Sequence, residues 1–394
     1  MSRRLAKLAA NLSIVFVCSL PFLVPFSPDR NIDLQGLLLI VAGAFAGLSL
    51  AAKPLRPIPK AILVCIGLFV LSCVLSLFVN PHKDYGLFGA PYVRLGTLGL
   101  LSCIVCALVI VQQFRLRQII VCLYGGICVL ALVSLPYNLL KFHTAQRIGG
   151  LFAQADIMAC FLGVGLLLGL YVLRQYPAWR LRLLILQLML FSLLLLTQTR
   201  AVLVLVIGLG LAWLLTTSEP KQSKRTIGYV FAVALVLLAL LPILPQRVSS
   251  LPYASTSISY RLALQKSALG SSWHRPVLGY GPGNLADALA CSKLHDGALQ
   301  KTCSQHYFFN SSHNIFIDRV LAIGWLGGLS FLTLVILAIT MALRKGGECR
   351  IIGFAALLVT GYYLTNITSV TLELLFWVLL LGCLMPASRA SASP

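Results

Sequence analysis

Charge is scarce in this chain, and acidic charge scarcer still. Only 10% of its 394 residues are charged, and ten acidic side chains stand against 31 basic ones. With 59% hydrophobic residues and a mean hydropathy of +0.93, so little charge cannot solvate a globular surface. That excludes an ordinary soluble domain and leaves a polytopic membrane protein. The net charge of +21 would suit a polyanion. However, the basic residues are scattered as small groups between apolar runs and form no continuous basic face, which excludes a nucleic-acid binder. No Asp, Glu, Lys or Arg falls at a predicted bilayer midplane and no internal repeat is visible, which argues against a transporter. No Asp-rich metal motif occurs. The one Gly-rich stretch, Gly279-Tyr280-Gly281-Pro282-Gly283, lacks the preceding strand and the following Lys-Ser/Thr of a phosphate cradle.

What is present is a series of apolar runs long enough to cross a bilayer, which takes about 20 residues. Twelve are expected: 8–26, 34–52, 58–79, 95–112, 118–138, 157–173, 181–197, 201–216, 226–245, 315–343, 351–366 and 369–385. The first is read as a spanning helix, because it is long for a signal-peptide core and no small-x-small cleavage site follows. The seventh and eighth are divided only by Gln198-Thr199-Arg200. With the N-terminus cytoplasmic, the inner segments carry 18 basic residues and the short outer loops six. Of the remaining seven, six lie in the long polar segment and count for less, because long segments translocate largely regardless of charge, and Arg319 falls in the tenth run. The expected organisation is therefore all-α, with both termini inside. Residues 1–245 carry helices 1–9, residues 246–314 form one large periplasmic loop, and residues 315–394 carry helices 10–12 and a cytoplasmic tail.

Ten of the twelve cysteines lie singly in apolar runs or short loops and read as small buried or lipid-facing residues. Cys291 and Cys303 are the pair in the polar loop, where a disulfide closing a hairpin is expected on the oxidising side of a membrane. Zinc held by Cys291, His295, Cys303 and His306 is the rival reading, although that spacing matches no familiar zinc pattern.

The polar stretch from Gln246 to Asn314 organises the rest. Ser257 to Ser272 reads as a helix with Tyr260, Leu264 and Ser267-Ala268 on one side and Arg261 and Gln265 on another. The Gly-Pro alternation at 279–283 marks a rigid turn. Asp156, Asp318 and Glu373 fall near the outer ends of predicted helices. Three residues on that side stand out. Arg200 sits at a tight turn between apolar helices, where it either snorkels to lipid phosphate or meets a bound anion. Arg261 lies on the loop helix, on a solvated face or facing a ligand. His313 precedes the tenth helix as a cap or as a proton acceptor, and an imidazole suits proton transfer near neutral pH. Together they fit one chemistry, in which arginines clamp a pyrophosphate and histidine takes a proton from an attacking hydroxyl.

Tyr260-Arg261, Trp273, Pro276, the 279–283 turn, His313-Asn314 and Gly324-Trp325-Leu326-Gly327-Gly328 resemble the O-antigen ligase and polymerase superfamily. Thr199-Arg200-Ala201 resembles the family's Arg-containing turn, and Arg147-Ile148-Gly149-Gly150-Leu151-Phe152 one of its outer-loop features. The resemblance implies a GT-C-like, metal-independent glycosyltransferase without a cofactor. Its donor would be an undecaprenyl-pyrophosphate-linked glycan and its acceptor lipid A–core, used at the periplasmic face of the bacterial inner membrane. It implies His313 as the essential histidine, Arg200 and Arg261 as essential arginines, and Arg147 as a further pyrophosphate ligand. Asp318 departs from the family's bland polar residue after the His-Asn pair. A ligase is favoured for the compact chain and complete motif set. A polymerase extending the lipid-linked glycan is the alternative, and a lipid-linked glycan flippase is the alternative from another class.

Overall fold

The computed structural model describes residues 28–51, 57–89, 95–142, 154–216, 258–290 and 311–385, with a few isolated positions besides. Among these residues the chain is helical and has no strand. In order the helices are α1 (Pro28–Ala51), α2 (Lys60–Val79), α3 (Lys83–Phe88), α4 (Thr97–Gln113), α5 (Leu116–Phe142), α6 (Ala155–Gln175), α7 (Arg180–Leu196) and α8 (Arg200–Thr216). They continue with α9 (Ile258–Ser272), α10 (Leu285–Ala288), α11 (Ile315–Lys345), α12 (Gly347–Tyr363) and α13 (Val370–Gly382). Helices lie at ten of the twelve expected apolar runs. The other two, 8–26 and 226–245, fall almost wholly outside the described residues, as do Arg147, Cys291 and Cys303. Among the described residues five helices are long and apolar enough to cross a membrane: Leu34–Ala51, Leu116–Pro136, Ala155–Gln175, Pro177–Leu196 and Ile315–Lys345. Shorter apolar helices run over Lys60–Ser76, Thr97–Gln113, Arg200–Thr216 and Val370–Gly382. This is an all-α membrane protein.

The chain divides into two compact units. One comprises Met1–Gln113, Pro252–Ala338 and Tyr363–Leu381, and the other Phe114–Leu251, Ile339–Tyr362 and Gly382–Pro394.

The second unit is built around α6, which is buried on nearly every side and apolar all round, as a helix enclosed by other helices must be. Its glycines set the spacing. A Cβ on Gly163 would lie 2.9 Å from Val202 Cγ1 of α8, and one on Gly165 would lie 2.7 Å from Ile127 Cγ2 of α5. Small residues let backbones approach where lipid offers no hydrophobic drive between helices. The turn from α7 into α8 needs one left-handed residue, Gln198 (φ 56°), in a place usually taken by glycine or asparagine. Thr197 steadies it by donating from Oγ1 to the Leu194 carbonyl at 2.7 Å, and Thr199 Oγ1 donates to Asp156 Oδ1 at 2.9 Å.

In the first unit the decisive feature is a break in α11. Gly324 has φ 77° and ψ 174°, so two helical pieces meet there at a kink. Breaking a helix frees backbone groups that hydrocarbon cannot satisfy. The polar segment satisfies them instead. Tyr280 N donates to Leu321 O (2.7 Å), Gly281 N to Ala322 O (2.8 Å), and Trp325 N to Pro276 O (2.7 Å). A Cβ on Gly324 would stand 2.0 Å from the Val277 carbonyl, so glycine is required there both for its φ and for this approach. The expected rigid turn is therefore present, with positive φ at Gly279, Gly281 and Gly283, and it is docked into a membrane helix.

Candidate functional site

Helix α9 begins the site. It follows the expected boundaries within a residue, and its apolar positions Leu264 and Ala268, one helical turn apart, bury against Tyr280, Ala288, Leu289 and Leu321. Burial pushes the Tyr280 phenol above its usual range, against the opposing pull of Arg275, so the ring stays neutral. Asn80, at the end of α2, pins the turn from the other side. Its Nδ2 donates to Pro282 O at 3.3 Å and its Oδ1 accepts from Asn284 Nδ2.

The other face of α9 carries Arg261 and Gln265, four residues apart and therefore neighbours on one face. Arg261 Nη1 donates to Thr365 O at 2.8 Å and to Asn366 Oδ1 at 3.4 Å. Its buried Nε has no partner among the described residues, and no carboxylate there pairs with it. Gln265 Nε2 donates to Leu364 O at 3.1 Å and to His313 O at 3.4 Å. One helix face thus grips both the connection before α13 and the segment before α11.

His313 stands in that segment with φ 59°, a left-handed conformation that costs an L-residue on the order of 1 kcal/mol or more and persists only where its surroundings impose it. The surroundings do so. His313 N donates to Ser311 Oγ (3.0 Å), while Asp318 accepts from Ser311 Oγ (2.6 Å) and Ser312 N (2.7 Å). Asn314 caps α11, its Oδ1 accepting from Phe316 N at 3.0 Å and Ile317 N at 3.4 Å. Asp318 therefore clips the residues that set the His313 backbone. His313 itself is half-buried.

Beneath this lies an ion pair that sequence reasoning missed. Arg319, 7% exposed, donates from Nη2 to Glu373 Oε1 at 2.5 Å, and Glu373 is wholly buried. Glu373 also accepts from Trp377 Nε1 (3.1 Å) and Thr368 Oγ1 (3.1 Å). Two opposite charges inside apolar runs are costly unless they meet, and that signal was present in the sequence.

Arg261 and His313 are thus brought to one face of α9 in the first unit. Arg200 belongs to the second. It is exposed and occupies the first position of α8, where a cation opposes the helix dipole. Arg147 lies outside the described residues. The described residues hold no cluster of His, Cys, Asp and Glu able to bind a metal.

Residues 184–332 match a protein-family model whose description is O-antigen ligase. That span holds Arg200, Arg261, the Gly-Pro turn, His313 and the kink at Gly324. No curated protein and no solved structure matches the chain.

Proposed function

We propose, from the match of residues 184–332 to the O-antigen ligase model, a ligase that transfers O-antigen polysaccharide to lipid A–core oligosaccharide. The donor is the polysaccharide on undecaprenyl pyrophosphate, and transfer takes place at the periplasmic face of the bacterial inner membrane. The observation that carries this reading is His313. Ser311, Gln265 and the Asp318 clip hold its backbone in a left-handed conformation and so fix the origin of its side chain, which supports a positioned proton acceptor.

In the proposed reaction an acceptor hydroxyl attacks the anomeric carbon of the first donor sugar. His313 takes the hydroxyl proton, the new glycosidic C–O bond forms, and the bond to the pyrophosphate oxygen breaks with inversion. The electron pair leaves on undecaprenyl pyrophosphate. Arginine meets that growing negative charge. Arg261 supports this role with a guanidinium unmatched by any carboxylate among the described residues. Arg200 is assigned to the same role by the Thr199-Arg200-Ala201 motif. Its position at a helix start, where free amides also favour anions, fits a phosphate ligand better than a helix-stabilising residue. Arg147 is assigned by resemblance alone. No divalent metal enters the proposal.

The test is transfer by the purified protein in a chelator, with undecaprenyl-pyrophosphate-linked glycan and lipid A–core supplied. His313→Ala is expected to lose about 10²–10⁴-fold in rate. Normal turnover by that variant, or an absolute need for a divalent ion, would overturn the mechanism. In a deletion strain, a ligase leaves polymer on its lipid carrier and none on core. A single repeat unit on core would mean a polymerase instead.

A further inference from the structure

Between the 279–283 turn, the start of α11 and the connection before α13 lies a cleft of about 70 Å³, lined wholly by residues of the first unit. At roughly 10–15 Å³ for each water centre it has room for about five to seven waters, on the order of the space one monosaccharide displaces. Its walls have two characters. Leu95, Ile315 and Ile367 are apolar, whereas Asp318, Arg319 and Thr368 are polar.

The charges in these walls choose the ligand. Arg319 is neutralised by its buried partner Glu373. Asp318 accepts from Ser311 Oγ and Ser312 N and also feels the neighbouring Arg319, and its oxygens keep acceptor capacity to spare. The cleft offers phosphate no unmatched cation, since Arg319 is its one basic lining residue, while an uncharged polyol can donate hydroxyls to Asp318 and lay an apolar ring face on Ile315 and Ile367. The cleft adjoins the candidate base along the chain. Ser311 and Ile315, two residues either side of His313, both line it.

We propose that this cleft seats the uncharged terminal sugar of the acceptor and offers its hydroxyl to His313. The proposal rests on the glycosyl-transfer reading above and adds where the acceptor sits. It separates the sugar subsite from the arginines, which take the pyrophosphate.

The test is saturation-transfer NMR on the full-length protein in detergent, with dephosphorylated core oligosaccharide released from lipid A as the probe. In the wild type the terminal sugar should receive the strongest transfer, and inorganic pyrophosphate should not displace it. Ile367→Trp, which fills the cleft from a half-buried loop position, should weaken binding about tenfold or more, and Ile367→Val should retain it. Leu285→Trp fills the opposite side and should act alike, with thermal unfolding confirming that each variant is folded. In the transfer assay the acceptor KM rises in both filling variants and the donor KM does not. Absence of binding to the wild type, equal binding to the folded filling variants, or displacement by pyrophosphate would overturn the proposal. If His313→Ala turned over normally while the oligosaccharide bound in a cleft-dependent way, the mechanism would fall and the sugar subsite would stand.

Discussion

Gln265 holds the backbone of His313 from another helix: its side-chain amide donates to the His313 carbonyl at 3.4 Å and to the Leu364 carbonyl at 3.1 Å. One residue of α9 therefore ties the left-handed segment before α11 to the connection before α13, which Arg261 grips from one turn away. Gln265→Leu keeps the bulk of the side chain and removes both donors. Transfer by this variant is expected to fall about tenfold to a hundredfold in kcat, the usual cost of a small misplacement of a reacting group. The donor KM should be unchanged. A kcat within twofold of wild type would show that His313 is set without Gln265.

The left-handed backbone separates structure from chemistry at His313. His313→Gly relieves the strain at φ 59° and His313→Ala does not, so the glycine variant should be more stable than the alanine one by about 1 kcal/mol. Both should lose activity to the same extent, because both lack the imidazole. Thermal unfolding in detergent alongside the transfer assay reads the two effects apart.

Gly324→Ala forces a Cβ to within 2.0 Å of the Val277 carbonyl at a φ of 77°. The polar turn cannot then stay docked against Leu321 and Ala322, and destabilisation by about 3 kcal/mol or more is expected. Gly270→Ala serves as the comparison, because nothing lies within 4 Å of the added Cβ and its φ is ordinary. Limited proteolysis between 273 and 284 should rise in the first variant and not in the second.

Glu373→Ala strands Arg319 in a buried site among Phe69, Phe331 and Trp377, and should cost about 3–5 kcal/mol. The double variant Arg319→Met with Glu373→Leu replaces the pair by apolar side chains of similar volume and should recover most of that loss. Chemical unfolding of the wild type, Glu373→Ala and the double variant compares the three. If Glu373→Ala alone proved as stable as wild type, the pair would not be needed to neutralise Arg319.

Much of this architecture is legible residue by residue. The apolar runs predict helices because a chain in lipid must satisfy its backbone internally, and α11 accordingly starts at the expected Ile315. The helix over 258–272 follows from its spacing of apolar positions, and the turn at 279–283 from its glycines and proline. His313 and Arg261 are visible as unusual residue types in their places. Their supports are not. Gln265 looks like any polar residue on a helix face, Asp318 like a helix-start acid, and Arg319 like one more positive charge. Gly324 cannot be told by composition from a glycine used only for helix packing.

The sequence by itself determined the solvent this protein folds in, the helices that follow from that solvent, and the residue types available for chemistry, since each depends on local composition and period. The tertiary structure alone decided which of those residues meet. Asn80 reaches Pro282 across 202 positions in the chain, and Arg261 reaches Thr365 across 104. Such contacts join segments far apart in the chain, and no local propensity specifies where a break and a turn will find each other. The long polar stretch becomes part of a site for that reason: the kink at Gly324 leaves backbone groups unsatisfied, and this stretch supplies their partners.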